Sequence, residues 1–114
     1  MVTSPGAPSA VVAFAALADE TRWAVLQALS EGDLSATALA DRLPVTRQAV
    51  AKHLAVLEAA GLVESYNAGR ERRYRALGAE LTALGRRLES IGQAWDARLS
   101  RLAAIAEDLE RGSE

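Results

Sequence analysis

Apolar residues recur every three or four positions along most of the chain and switch to alternation over one stretch only, residues 62–77. The first spacing predicts helices and the second a β-hairpin. Ser9 opens a predicted first helix reaching Ala18, with Val12, Phe14 and Leu17 available to a core. Asp19 is placed to cap a second, from Glu20 to Ser30, whose apolar stripe is Val25, Leu26 and Leu29. Glu31-Gly32-Asp33 ends it. Ser35 caps a short predicted helix from Ala36 to Leu43 that buries Leu39 and Leu43. Pro44 stops it, because a proline turns the residue before it away from the helical region. Thr46 then caps a fourth, from Arg47 to Ala60, and Gly61 is its C-terminal stop. Predicted strands from Leu62 to Asn67 and from Arg72 to Leu77 follow, joined by Ala68-Gly69-Arg70-Glu71, where Gly69 is free to take a positive φ.

The last third has a different rhythm. Leu81, Leu84, Leu88, Ile91, Trp95, Leu99, Leu102, Ile105 and Leu109 are separated by three or four residues each, a mean of 3.5. That period is the seam of a coiled-coil-like helix. As one helix it would be about 45–50 Å long, more than the roughly 35 Å breadth of a domain this size. It must therefore bend near Ser90-Ile91-Gly92 or pack on a second chain. The expectation is a dimerisation segment over residues 79–114, with Leu84, Leu88, Ile91, Trp95, Leu99 and Leu102 carrying the contact. Gly85 and Gly92, one heptad apart, would admit a close helix approach.

Two helices joined by about three residues, the second running straight into strands, is a helix-turn-helix layout. The fold class expected is mainly α with a small β-hairpin, a winged helix-turn-helix domain followed by a long C-terminal helix or helices. Residues 9–78 form the domain and residues 1–8 a disordered tail. The faces of the fourth helix say what it is for. At about 100° per residue, Val50, Leu54 and Leu57 fall on one stripe, and Gln48, Ala51, Lys52 and Ala55 fall opposite, with Arg47 at the leading end. Small side chains let a helix enter a groove, and Gln, Lys and Arg reach base edges and phosphates. A protein-interaction module, the alternative, would need an apolar face there.

Charge sharpens this reading. The 114 residues sum to −2, which by itself argues against nucleic acid. Residues 46–78, however, carry six basic side chains (Arg47, Lys52, Arg70, Arg72, Arg73, Arg75) against three acidic ones. A local basic face attracts phosphate within a Debye length of about 8–10 Å, whatever the far side carries. Alternation sets Tyr74 and Ala76 on one sheet face and Arg73 and Arg75 on the other, with Arg70 at the tip beside the flexible glycine. The DNA-contacting set is then Thr46, Arg47, Gln48, Ala51, Lys52, Arg70, Arg73 and Arg75, and the partner is a double-stranded DNA operator.

Leu17-Ala18-Asp19-Glu20-Thr21-Arg22, Val50-Ala51-Lys52-His53-Leu54, Leu57-Glu58-Ala59-Ala60-Gly61-Leu62-Val63 and Gly69-Arg70-Glu71 with Tyr74 stand in order over residues 12–77. In this the chain resembles the ArsR family of bacterial winged helix-turn-helix transcriptional regulators. The tail Trp95-Asp96-Ala97-Arg98-Leu99-Ser100-Arg101-Leu102 is similar to a branch with a Trp-x-x-Arg-Leu-x-x-Leu segment. The resemblance implies a homodimeric repressor whose fourth helix enters the major groove and whose hairpin is the wing. Pro44 stands where the family often has glycine, and Ala51 where it often has serine, which removes one hydroxyl from the DNA face.

Many members of that family sense metals, but the chemistry for it is missing here. The chain has no cysteine and a single histidine, His53, at the edge of the recognition helix's buried stripe. Soft metals need thiolates, and zinc sites need clustered ligands. The expectation is no metal and no cofactor, with His53 a half-buried structural residue. One His, one Lys and no Cys leave no nucleophile–base pair, so no enzyme is expected. No apolar run approaches the roughly 20 residues that cross a bilayer, and the N-terminus has no leader pattern, so the expected location is the bacterial cytoplasm. An effector, if there is one, is expected to be a small organic molecule near Trp95.

Overall fold

The computed structural model describes residues 9–112, so the tail expected at 1–8 lies outside the described residues. The order of elements is α1 (Ala10–Leu17), α2 (Glu20–Glu31), β1 (Leu34–Ser35), α3 (Ala36–Arg42), α4 (Arg47–Ala59), β2 (Val63–Ala68), β3 (Glu71–Ala76) and α5 (Gly78–Gly112). The chain divides between Thr82 and Ala83 into two compact units.

In the first unit each helix starts where its capping side chain dictates. Asp19 accepts from the Arg22 N–H at 2.9 Å, Ser35 from Ala38 at 3.1 Å and Thr46 from Ala49 at 3.1 Å. Such caps contribute about 1 kcal/mol each. The turn before α4 accommodates Pro44 as the middle residue of a three-residue turn closed by Val45 N–H to Leu43 O, at 2.8 Å. The end of α4 is a full Schellman motif. Gly61, at φ 78°, donates to Glu58 O at 3.0 Å, and Leu62 donates to Leu57 O at 3.0 Å. Leu57 and Leu62, the pair that such a motif brings together, are both fully buried.

Val25, Leu39, Val50, Leu54, Leu57 and Leu62 are the large side chains that lose all contact with solvent. Burial of each is worth about 1.5–3 kcal/mol over exposure. They tie α2, α3 and α4 to the base of the hairpin, which fixes the outward face of α4. One expectation fails locally and one is extended. The buried residues of α1 are Ala13 and Ala16, whereas Val12 is exposed; the helix uses its small residues to approach its neighbours. The hairpin is also widened to three antiparallel strands in the order β1-β3-β2, with Leu34 opposite Tyr74 and Ser35 opposite Arg73.

The β2–β3 register pairs Val63 with Ala76 through to Ala68 with Glu71, leaving a two-residue turn, Gly69-Arg70. Gly69 has φ +66° and Arg70 a negative φ, the combination a type II′ hairpin turn requires. The second unit is helical throughout its described residues. α5 runs from Gly78 to Gly112, 35 residues, without a break at Gly92.

Candidate nucleic-acid interface

α4 turns Val50, Leu54 and Leu57 inward, and the other side of the helix follows from that. Arg47, Gln48, Ala51, Lys52 and Ala55 are all exposed. Thr46 is exposed too, but its hydroxyl is engaged in capping the helix. Arg47, Gln48 and Ala51 form one wall of an open groove of about 780 Å³. The opposite wall is the wing, through Arg70, Glu71, Arg72 and Tyr74, and the floor includes Ser35 to Ala38 and Asp41. The helix and the tip of the wing therefore face a common space. Lys52 lies on the same exposed side of α4 but does not line the groove.

Arg47, Lys52 and Arg70 have no ion pair among the described residues, so their charge is free for an incoming anion. The other wing arginines are engaged. Arg72 donates to the Ser65 hydroxyl at 2.7 Å and its guanidinium lies 5.9 Å from the centre of the Tyr74 ring. It stands on the groove side of the sheet, a position that alternation alone shows only once the core face is known. Arg73 and Arg75 stand on the other side. Arg73 pairs with Glu71 at 3.5 Å.

Arg75 is the centre of a small polar network. Its guanidinium meets Asp33 and Glu64, each at 3.4 Å, and lies 4.6 Å from the centre of the Tyr66 ring. The Tyr66 hydroxyl donates to the same Asp33 carboxylate at 2.6 Å. That bond, with the Arg75 charge beside it, holds the Asp33 carboxyl below its ordinary value despite partial burial, and Asp33 in turn raises Arg75. The network ties the loop before β1 to β2 and β3. Sequence reasoning missed Asp33 as a partner, since 42 residues separate it from Arg75.

His53 is half-buried, as expected, but its partners are not local. The Arg22 guanidinium approaches Nδ1 at 3.4 Å, and the Asp19 carboxylate lies 3.9 Å from the same nitrogen. Arg22 also donates through Nε to the Ala16 carbonyl at 2.5 Å. The N–H of Arg22, then the neighbouring charges, keep Asp19 below its ordinary carboxylate value. One arginine thus joins the end of α1, the start of α2 and the inner edge of α4. Among the described residues no three His, Cys, Asp or Glu side chains gather as metal ligands would.

In the second unit, Leu88, Ile91, Trp95, Leu99, Leu102, Ile105 and Leu109 are 54–70% exposed and form a stripe along α5. Leu84, grouped with them in the sequence, is instead buried within the chain. The Arg98 guanidinium sits 5.3 Å from the centre of the Trp95 ring, one turn away. Among the described residues no helix is long and apolar enough to cross a membrane.

A capped recognition helix and a basic-tipped hairpin sharing a groove define a winged helix-turn-helix DNA-binding domain. A helix-turn-helix domain model matches residues 17–66, from the end of α1 into β2. An ArsR-like transcriptional regulator from Rhodococcus sp. RHA1 superposes with a TM-score of 0.77 and is 59% identical, covering 85% of this chain and 92% of that one. The HTH-type transcriptional regulator Rv2034 of Mycobacterium tuberculosis is 46% identical over 72 residues, 63% of this chain and 67% of that protein. The uncharacterised HTH-type transcriptional regulator YuzN of Bacillus subtilis is 48% identical over 66 residues, 52% of this chain and 72% of its own. The chain belongs to the ArsR family and is a transcriptional regulator with a helix-turn-helix DNA-binding domain.

Proposed function

We propose that the protein is a dimeric repressor that binds an inverted-repeat operator and blocks transcription from it. The observation that carries this reading is the shared groove: Arg47, Gln48 and Ala51 of α4 face it from one side and Arg70 and Arg72 of the wing from the other. α4 enters the major groove, with Gln48 reaching base edges and Lys52 and Arg47 the flanking phosphates. Thr46 holds the start of that helix, and Ala51 permits close approach. Arg70 reaches the phosphates across the adjacent groove. Arg73 and Arg75 serve more distantly, as positive charge behind the wing, because both are committed to carboxylates. Asp41 and Glu71 also border the groove, so its lining carries both signs of charge.

One such domain reads only a few base pairs, too few to find a promoter among about 10⁶ or more competing sites. Two copies related by a twofold axis place their recognition helices in successive major grooves about 34 Å apart. The exposed stripe of α5, from Leu88 through Leu102 and beyond, supports that pairing. Residues 9–78 act as the DNA-binding part and 79–114 as the dimerisation part. The reading requires neither metal nor cofactor; an inducer, where present, is a small organic molecule near Trp95.

Titration of the protein against an operator and a random duplex tests the groove. Gln48→Ala should lose about 1–3 kcal/mol of discrimination at one or two base pairs and leave random-sequence binding intact. Equal loss on both duplexes would show that α4 does not read bases.

A further inference from the structure

We propose that Glu58 and Ser65 form a relay that fixes the Arg72 guanidinium in the groove, so that Arg72 discriminates base pairs from the wing with its aim set by the recognition helix. This rests on the reading of the groove as the DNA site. It adds a second specificity-determining residue and names the two side chains that position it. The relay starts towards the C-terminal end of α4. Glu58 is half-buried there and makes no ion pair among the described residues; its Oε2 accepts from the Ser65 hydroxyl of β2 at 3.4 Å. A hydroxyl has one proton, so with that given to Glu58 it offers only lone pairs. Arg72 of β3 donates to it at 2.7 Å. Tyr74, directly across the sheet from Ser65, bounds the guanidinium on another side, with its ring centre 5.9 Å away. The remaining N–H donors of Arg72 have no partner among the described residues, and Arg72 lines the groove shared with Arg47, Gln48 and Ala51.

This combination sets Arg72 apart from its neighbours on the wing. Arg73 and Arg75 are held, but by carboxylates that offset their charge. Arg70 keeps its full charge, but no hydrogen bond or ion pair among the described residues holds it. Arg72 is held by a neutral hydroxyl, so its orientation is fixed while its own charge is met by no carboxylate in contact. A loose cation meets phosphate wherever it finds it, and that contact carries no sequence information. A planar donor fork held in one orientation matches some base edges and not others.

The relay also keys one contact to the other. Glu58 stands on the same helix as Gln48, ten residues on, and it orients the hydroxyl that orients Arg72. Hydrogen bonds in such a chain strengthen one another, so the middle member matters to both ends. The base pairs that Arg72 meets therefore keep a fixed offset from those that Gln48 reads. Neither Ser65 nor Glu58 lines the groove, so both act on DNA only through Arg72 and are positioning residues.

Selection of binding sites from a pool of randomised duplexes tests this with the full-length wild type, Arg72→Lys, Ser65→Ala and Glu58→Ala. The wild type should select a core sequence together with a preference at base pairs beside it. Arg72→Lys keeps the charge, so affinity for random duplex and its salt slope should stay unchanged while the preference beside the core falls several-fold. Ser65→Ala and Glu58→Ala should lose the same preference and keep the core. Adding Ser65→Ala to Arg72→Lys should change little more, because the two act as one unit. An intact preference in Arg72→Lys would make Arg72 a charge only and overturn the proposal. An intact preference in Ser65→Ala or Glu58→Ala would overturn the relay, and so would loss of the core sequence along with it. A wild type that selects a core with no preference beside it would overturn the role of Arg72 and leave the groove reading standing. A wild type that selects no sequence at all would overturn both.

Discussion

Arg70 and Arg75 are both wing arginines, but their surroundings give them different work. Arg70 is exposed at the tip of the hairpin with no ion pair among the described residues. Arg70→Ala should weaken binding to all DNA sequences alike and reduce the salt dependence by about one unit of slope, measurable by titration at several salt concentrations. Arg75 is bound to Asp33, Glu64 and the Tyr66 ring. Arg75→Ala should therefore cost stability and leave the salt slope nearly unchanged. The same network sets an acid sensitivity. Because the Tyr66 hydroxyl and then Arg75 lower the Asp33 carboxyl in the folded chain, its contribution is fully present above the ordinary value near 3.8. It is lost as pH falls below that through the lowered value. Asp33→Asn should reduce stability at neutral pH and flatten the acid limb of a denaturation-versus-pH curve. An unchanged acid limb would assign that limb to other carboxylates, of which Asp19 is the first candidate.

At the scale of elements, α4 and the hairpin are held by different physics. α4 depends on burial. Leu54 is fully buried at its centre, and Leu54→Ala should cost about 2–5 kcal/mol through lost transfer energy and a cavity. In a domain near 100 residues that lowers the thermal midpoint by roughly 8 °C or more, which calorimetry would detect. The hairpin depends on backbone conformation at one residue. A Cβ at Gly69 would meet nothing within 4 Å, so Gly69→Ala carries only the cost of φ +66°, about 1–2 kcal/mol. That strain falls on the turn presenting Arg70, so DNA affinity should drop with little change in the spectrum of the helices. Much of this was legible beforehand. Asp19, Ser35, Thr46, Gly61 and Gly69 act through bonds to residues three to five positions away or through their own φ, and local chemistry of that kind is written in the order of residues. β1 was not legible, since two residues carry no period and its partners lie about forty positions on.

At the scale of the whole molecule, the stripe from Leu88 to Leu109 is left uncovered in the single chain. Leu88→Glu or Leu99→Glu would place a charge in the paired seam at a cost of several kcal/mol. Sedimentation should show either variant as a monomer, and operator binding should be lost with dimerisation while the far-UV spectrum stays helical. A monomeric wild type at micromolar concentration that binds a single half-site tightly would end the dimer model. Micromolar zinc, nickel or arsenite should leave operator affinity unchanged in a footprinting assay, because no thiolate exists and His53 is held by Arg22. A saturable, stoichiometric metal effect would contradict that.

The order of residues by itself determined the helices, their caps, the stripe of α4 that goes inward, the hairpin with its glycine, and the 3.5-residue rhythm of α5. Periodicity and capping are short-range, so they survive in a linear reading. It also determined which side chains of α4 face outward, because a helix that buries Val50, Leu54 and Leu57 has no choice about Gln48 and Ala51. Only the tertiary structure decided which wing arginines share the groove with α4. Strand alternation says that Arg72 and Arg73 point oppositely, but which of them points toward α4 depends on how the sheet packs. Tertiary structure alone also gave Arg75 its partner Asp33, drew Arg22 to His53 across 31 residues, and buried Ala13 while leaving Val12 in solvent. Those outcomes depend on contacts between segments distant in sequence, and an apolar residue carries no mark of which neighbour will cover it.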